Sequence, residues 1–501
     1  MKQVIMGDEL NKCMQNAIDL ICDAVASTLG PSGNNVIVSA DLAPFITNDG
    51  VTIARNISSD DEKINSILEI IKEASLKTNE VVGDGTTTTL VLLQSIFKEG
   101  LKFIENKVNP ILLKNELNKT LMVVLDEIDQ IKKQATPKDV KAVSAIAVGN
   151  EEDGNFINNV FSIMKSKYSI LLDESKSNKT YYEIRKGYNI EIDNISNLYF
   201  DKKDEICINN PCVLVINGYL DDLEQISKII NKVIDTNKSL LIFAEDYSDD
   251  VNNNVLSFYM QAKNIFLFKI SDYGSRKDEI LKDIKSICDC NIKNINYDCA
   301  LLDDLGKCNT AVLNKNEITI INDLAGIKNR IIKLECELEK CTDDYEKEFL
   351  LNRLAKLKNG IATIYVGGNT KTEIKEKMMR FEDALCALEA AKDGVVLGEG
   401  VSFLNIKNKL DNSIGGIVMK NALSSPFNTI VKNMGFNSED IIKLIEKSDF
   451  NKAYNFNTNK LEGINETKVI DTVKSLKESI TNATSIASLL LTTNYLIINS
   501  N

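Results

Sequence analysis

The segment with the clearest capacity for chemistry is Val82-Gly83-Asp84-Gly85-Thr86-Thr87-Thr88-Thr89. Two glycines flank an aspartate, four hydroxyls follow, and an apolar helical stretch begins. Physically this is an anion cradle. A helix N-terminus offers unpaired N–H groups and about half a positive charge. The threonines add donors, and the glycines permit close backbone approach. Asp84 supplies the hard oxygen that Mg²⁺ takes beside phosphates. A plain N-cap would also place Asp or Thr here, although one cap does not require four threonines. Three other segments share this inventory. Thr28-Leu29-Gly30-Pro31-Ser32-Gly33 reads as a helix end running into a Gly/Pro loop, either a C-cap or a fold against a nucleotide. Asn48-Asp49-Gly50 reads as a hairpin turn. Phe381-Glu382-Asp383-Ala384-Leu385 lies on a helix leading to Gly394-Val395-Val396-Leu397-Gly398-Glu399-Gly400. Together they supply three carboxylates (Asp49, Asp84, Asp383), a phosphate cradle and glycine loops. That set suits phosphoryl transfer to water, with a carboxylate polarising the water and a metal neutralising developing charge.

Several alternatives fall away. The chain has no histidine and no tryptophan, so imidazole-based triads and His-ligated zinc are excluded. No Walker A motif G-x-x-x-x-G-K-[ST] and no kinase motif set occurs. The net charge is −13, from 59 basic and 72 acidic residues, which disfavours nucleic acid and anionic membrane as partners. Eleven cysteines are scattered without a C-x-x-C pair, which reads as free thiols in a reducing compartment. Asp8 and Glu9 stand where a secretory signal would be apolar, and no long apolar run follows. The expectation is a cytoplasmic protein, or one in an equivalent reducing organelle matrix or infected-cell cytoplasm.

At 501 residues the chain predicts roughly three domains of ~150 residues, and a hydrophobic share of 44% is enough for a sizeable core. Helical periodicity runs from Leu10 to Leu29, Ile64 to Asn79, Thr86 to Ile104 and Asn109 to Lys133. Val36 to Val38 and Phe45 to Thr47 read as short strands. From Tyr181 to Leu302 β-rich runs such as Cys212 to Ile216 and Leu240 to Ala244 alternate with helical stretches such as Leu223 to Ile234. Ile327 to Lys358 reads as a charged helical hairpin, and the last ~110 residues return to helix. The helical, α/β, helical order predicts a domain built from both chain ends with another inserted between them.

The segments TLGPSGNNV, ITNDGVTIA, VGDGTTTTLVL, LLIFAED, KEKMMRFEDALCALEAAKDGVV and AYNFNT resemble, in this order, those of group I chaperonins, the GroEL family. The similarity covers almost the whole chain. It implies a multidomain α+β and α/β subunit of a ring fuelled by Mg-ATP, with K⁺ as a further cation. A mostly helical equatorial domain would span 1–130 and 394–501, a small intermediate hinge domain 131–186 and 362–393, and an α/β apical client-binding domain 187–361. By the resemblance, Thr28, Leu29, Gly30 and Pro31 pack on the nucleotide, and Asp84, Gly85, Thr86, Thr87 and Thr88 hold phosphate and magnesium. Asp383 swings in to support hydrolysis and Asp49 lies near the γ-phosphate. Gly400, Asn455 and Asp471 touch base and ribose. Clients would meet apolar Tyr199, Phe200, Ile226, Ile230 and Leu256 at the mouth of a heptameric homo-oligomeric ring, which a co-chaperonin lid closes.

The chain departs from the family pattern in places. The three-glycine run is interrupted as Gly398-Glu399-Gly400, and Asn48 replaces a usual lysine. Phe456 replaces a small residue after Asn455. Asn428 and Asn437 stand where an arginine and a glutamate commonly join two rings, which predicts a single ring as an alternative. A second alternative is a holdase or scaffold working without a lid.

Overall fold

The computed structural model describes residues 2–39, 44–185, 187–193, 196, 199–200, 205–236, 238–262, 264–294, 304–322, 327–448, 452–456, 458–464, 467 and 469–499. Cys299 and Leu302 lie outside the described residues. Two compact units emerge: residues 1–162, 174–179 and 366–501 form one, and 163–173 and 180–365 form the other.

The first unit is helical. Helix Gly7–Ala26 forms because Leu10, Met14, Ala17, Ile18, Ile21 and Val25 recur at helical spacing and are buried. It stops three residues before the expected end, where the Thr28 hydroxyl donates back to the Val25 carbonyl at 2.8 Å. Helices Glu62–Val82, Thr86–Glu105, Pro110–Ile131 and Val473–Leu491 share its core, with Leu68, Leu92, Phe97, Leu117 and Ile480 fully buried. Each such side chain contributes about 1.5–3 kcal/mol. Strand Lys2–Met6 pairs antiparallel with Tyr495–Asn499, so both chain ends close this unit. The same unit holds 131–162 and 366–393, most of what was expected to be a hinge domain. Helix Pro137–Val148 there starts from a capping box, Thr136 with Asp139.

The second unit is α/β. Its sheet has nine strands among the described residues. Strands Cys212–Leu220, Leu240–Tyr247 and Ile265–Ile270 run parallel at its centre. They read as continuous apolar runs because both faces are covered. Val213, Val215, Leu241 and Phe243 enter one core, and Leu214, Ile216, Leu240 and Ile242 enter another. The helical hairpin is Ile327–Lys340 followed by Asp344–Asn359. A buried ion cluster pins it: Asp283, wholly buried, accepts from Arg353 at 2.7 and 2.8 Å, from Arg330 at 2.7 Å and from the Tyr188 hydroxyl at 2.9 Å. No helix among the described residues is long and apolar enough to cross a membrane.

Candidate nucleotide site

The cradle is built by two glycines in the left-handed region. Gly83 (φ 69°) ends helix Glu62–Val82, and Gly85 (φ 81°) starts helix Thr86–Glu105. Any side chain at either position would also collide. A Cβ on Gly83 would lie 2.4 Å from the Cys386 Cβ, and one on Gly85 would lie 2.4 Å from the Ser475 Oγ. The Gly85 carbonyl accepts from Thr89 at 2.9 Å and Ser479 at 3.1 Å, which seats the turn on helix Val473–Leu491. Thr86 is buried, while Thr87 and Thr88 are half-buried.

The Thr28 loop joins this cradle directly, with Thr28 Oγ1 3.4 Å from Thr87 Oγ1. Gly30 (φ 91°) presses on Ile430, Leu29 packs against the neighbouring apolar cluster, and Pro31 is exposed. Asn48-Asp49-Gly50 is not the hairpin turn expected from its sequence. Asp49 instead caps helix Gly50–Asn56, accepting from Val51 N at 3.2 Å and Thr52 N at 2.9 Å. A helix follows directly, so the side chain satisfies the orphan N–H groups. Gly50 lies against Thr86 and Thr87, and its Cβ would come within 2.5 Å of Thr87 Oγ1.

Helix Lys371–Ala390 brings Asp383 to the same place. Met379 receives the Thr52 hydroxyl at 4.0 Å, and Cys386 contacts Gly83. Asp383 lies between them, four and three residues away, on the same helical face. Burial, and then the charges of Asp49 and Asp84, push its carboxyl well above the usual range. Asp84 is an exposed residue, yet the protein packed around its carboxyl raises its pKa by desolvation. The Gly85 N–H, 2.6 Å away, opposes that shift.

A second acidic group adjoins the first. Strand Ile470–Thr472 pairs with Val395–Leu397. It carries Asp471, pushed up to about 7 by burial and by Asp84. The loop Gly398-Glu399-Gly400 packs on it, because a Cβ at Gly398 would meet Asp471 Oδ1 at 3.2 Å. Gly400 (φ 76°) sits tightly on Phe427. Asn455 donates to Glu462 at 2.9 Å, and Glu462 bears electrostatically on Glu399. Phe456 is buried beside Phe436 and Tyr454. The structure therefore gathers Thr28, Asp49, the 83–88 cradle, Asp383, Asp471 and Gly400 into linked contacts, with Asn455 joined through Glu462. Sequence reading missed Ser475, Ser479, Glu462 and Cys386. Only Ser475 carried a local signal, since Thr472 caps its helix by accepting from Ser475 N.

The donor set fits magnesium bound with a phosphate. Among the described residues no three His, Cys, Asp or Glu side chains are grouped to hold a metal by themselves. Mg²⁺ typically takes one or two carboxylates and completes its shell with water and phosphate oxygens. Burial raises the Asp84 carboxyl, and burial followed by the charges of Asp49 and Asp84 raises that of Asp383. A bound cation favours the ionised form of both.

The apical positions require correction. Tyr199, Phe200, Ile226 and Ile230 are each at most 3% exposed, and Leu256 is half-buried against the core. They do not form an exposed groove. Tyr199 packs edge-on to Tyr259, whose hydroxyl donates to the Tyr199 carbonyl at 2.7 Å. Ile226 and Ile230 pack beneath the sheet with Ile229 and Val233. Of the ring-to-ring positions, Asn437 caps helix Ser438–Glu446.

The helical unit with its acid-rimmed cradle and the inserted α/β unit define a chaperonin-type subunit. The chain matches the TCP-1/cpn60 chaperonin family over residues 21–501 and belongs to that family. Its fold is similar to the crystal structure of the chaperonin gp146 from the bacteriophage EL 2 (Pseudomonas aeruginosa) in the presence of ATP-BeFx. In crystal form I the TM-score is 0.79 at 18% identity, with 99% of each chain covered. Crystal form II of that protein gives a TM-score of 0.70 at the same identity and coverage. The resemblance to a divergent GroEL-type chaperonin, read from the motifs, stands.

Proposed function

We propose that this chain is an ATP-dependent molecular chaperone whose ring captures and encloses unfolded proteins, driven by hydrolysis of Mg-ATP. The supporting observation is the convergence of Asp49, Asp84 and Asp383 on the glycine-flanked start of helix Thr86–Glu105. Water attacks the γ-phosphorus of ATP, Asp383 receives the water's proton, and ADP leaves with the electron pair of the broken P–O bond. The helix N-terminus and its threonines hold the phosphates. Asp84 holds Mg²⁺, which offsets phosphate charge when bound, and K⁺ is a second candidate cation. Leu29, Gly30, Pro31, Gly400, Asn455 and Asp471 position base and ribose. Residues 131–186 and 362–393 serve as the hinge, and the compartment is cytoplasmic or similarly reducing. Asp383→Asn is expected to bind ATP normally and lose about 10²–10⁴-fold in turnover. Near-wild-type turnover in that variant overturns the assignment.

Assembly into a homo-oligomeric ring, heptameric by resemblance and closed by a co-chaperonin lid, has its own support. Strands Val36–Val38 and Phe45–Thr47 form a two-stranded sheet whose paired Ile37 and Ile46 are 73% and 53% exposed. The terminal two-stranded sheet likewise exposes the cross-strand pairs Val4 with Ile497 and Met6 with Tyr495. Isolated two-stranded sheets are marginal in water, and open edges with apolar faces suit a second copy of the chain. A passive holdase or scaffold is the second reading. It is favoured by Glu399, which interrupts the glycine run near Asp471 with a buried Oε2 that has no hydrogen-bond partner among the described residues. ATP-dependent refolding of a denatured client, against mere suppression of its aggregation, separates the two readings.

A further inference from the structure

The two helices expected to capture clients present largely polar outer faces, Met260 being the one large apolar side chain exposed on them among the described residues. Ser227–Asp235 leaves Asn231 and Lys232 outside, and Asp249–Ala262 leaves Asn253, Asn254 and Ser257 outside. An unfolded chain gains little apolar burial there. The α/β unit has a concave surface elsewhere. A cavity of about 280 Å³ opens between helix Asp344–Asn359, the start of helix Ser275–Cys288 and strand Tyr188–Asp193. Ile190, Ile280, Tyr345 and Phe349 line its apolar wall, and Tyr345 is 72% exposed.

The polar lining is specific. The Arg276 guanidinium stacks on Tyr345 at 4.1 Å and on Phe349 at 4.5 Å. Its Nη2 is buried and has no hydrogen-bond partner among the described residues, and the same is true of Asn352 Oδ1. One unused donor and one unused acceptor thus line the same cavity, and buried polar groups are normally satisfied. The remaining charges decide what could satisfy them. Arg353 is committed to Asp283, and Lys356 pairs with Glu191 at 3.3 Å. Asp272 and Glu348 also line the cavity, so the balance around Arg276 is not positive. That disfavours phosphate or nucleotide and favours an uncharged group with one donor and one acceptor. A peptide unit carries that pair, and its side chain supplies the apolar filling.

We propose that this cavity is a docking site for an extended segment of unfolded polypeptide. A backbone carbonyl of the segment accepts from Arg276, a backbone N–H donates to Asn352 Oδ1, and an apolar side chain packs on Ile190, Ile280 and Phe349. The inference rests on the chaperone reading, and it moves client recognition from the two polar helices to the helical hairpin.

The test uses the full-length protein without nucleotide and fluorescein-labelled reduced, carboxymethylated α-lactalbumin as a permanently unfolded probe. Wild type binds it. Asn352→Leu removes the acceptor, and Tyr345→Ala removes the exposed aromatic wall and tests the site should Asn352→Leu fold poorly. Each is expected to weaken binding about five- to tenfold and to leave ATP turnover unchanged. An Asn253→Ala/Ser257→Ala double variant, on the polar helix face, is expected to bind as wild type does. Wild-type affinity in both cavity variants overturns the proposal while leaving the chaperone reading intact. A wild-type protein that hydrolyses ATP but does not bind the probe overturns it as well, whereas loss of ATP turnover in wild type would count against the proposed function itself.

Discussion

Replacing Glu399 with glutamine should make the protein more stable at neutral pH and flatten its pH dependence. Glu399 takes a left-handed backbone (φ 54°) between two glycines, and its Oε2 is buried with no hydrogen-bond partner among the described residues. Burial, then Asp471 and Glu462, raises its carboxyl from the ordinary 4.5 to about 8. Asp471 titrates first, at about 7, under burial and Asp84, and Lys138 bears on Glu462 rather than directly on Glu399. The sign follows from proton counts. Between 4.5 and about 8 the folded chain keeps this proton and the unfolded chain has lost it. Stability therefore falls as pH rises through that window, by about 1.4 kcal/mol per pH unit. At pH 7 the penalty is about 3 kcal/mol. Glutamine has the shape without the titration, so Glu399→Gln recovers most of that penalty, equivalent to several degrees in Tm. Glu399→Gly should gain at least as much, because it also relieves left-handed strain of about 1 kcal/mol. Urea unfolding from pH 5 to pH 9 measures both variants. If Glu399→Gln loses stability with pH as steeply as wild type, Glu399 is not the buried acid described here.

Other perturbations test separate parts of the structure. Gly83→Ala puts a methyl 2.4 Å from the Cys386 Cβ at a left-handed position. It should displace the Asp383 helix and lower ATP turnover more than ATP affinity, as steady-state kinetics beside equilibrium binding would show. Asp283→Asn weakens a carboxylate that is wholly buried between Arg330 and Arg353, and should cost about 3–5 kcal/mol in unfolding of the α/β unit. Ile37→Lys with Ile46→Lys charges an exposed apolar pair. It should reduce particle mass in mass photometry without changing helicity by circular dichroism, and an unchanged mass would remove this hairpin from the assembly contact. Ile230→Ser empties a position 2% exposed in the core, so it should destabilise by about 2–5 kcal/mol instead of selectively weakening client capture.

The cradle was legible because its chemistry is local. Gly83, Asp84, Gly85 and the threonines are consecutive, and the positive φ values that the turn needs are what glycine supplies. The parallel strands were legible because burial on both faces writes an unbroken apolar run, as in Leu240 to Ala244. Asp49 was misread because a turn and an N-cap draw on the same residues. Only the following Val51, Ile53 and Ala54, buried along helix Gly50–Asn56, distinguish them. Glu462 and Ser479 could not have been read, since each reaches the site through pairings set by the fold.

The apical residues failed for a different physical reason, and it bears on how clients are held. A stripe such as Ile226, Ile229, Ile230 and Val233 fixes which side of a helix is apolar. It does not say whether that side meets a sheet or an unfolded chain, because both reward burial equally. Here the sheet covers the stripe, and the opposite side carries Asn231 and Lys232. Apolar area once counted for capture is thus already spent on folding. On the proposed reading, this α/β unit draws part of its affinity for clients from the cavity's unmet hydrogen-bonding groups, Arg276 and Asn352. That makes its capture more dependent on backbone contacts, and less on apolar area, than a greasy groove would be. Its affinity for an unfolded probe should consequently weaken little on cooling, where hydrophobic association fades. A binding series from 5 to 35 °C that shows strong weakening in the cold would restore the apolar-groove view.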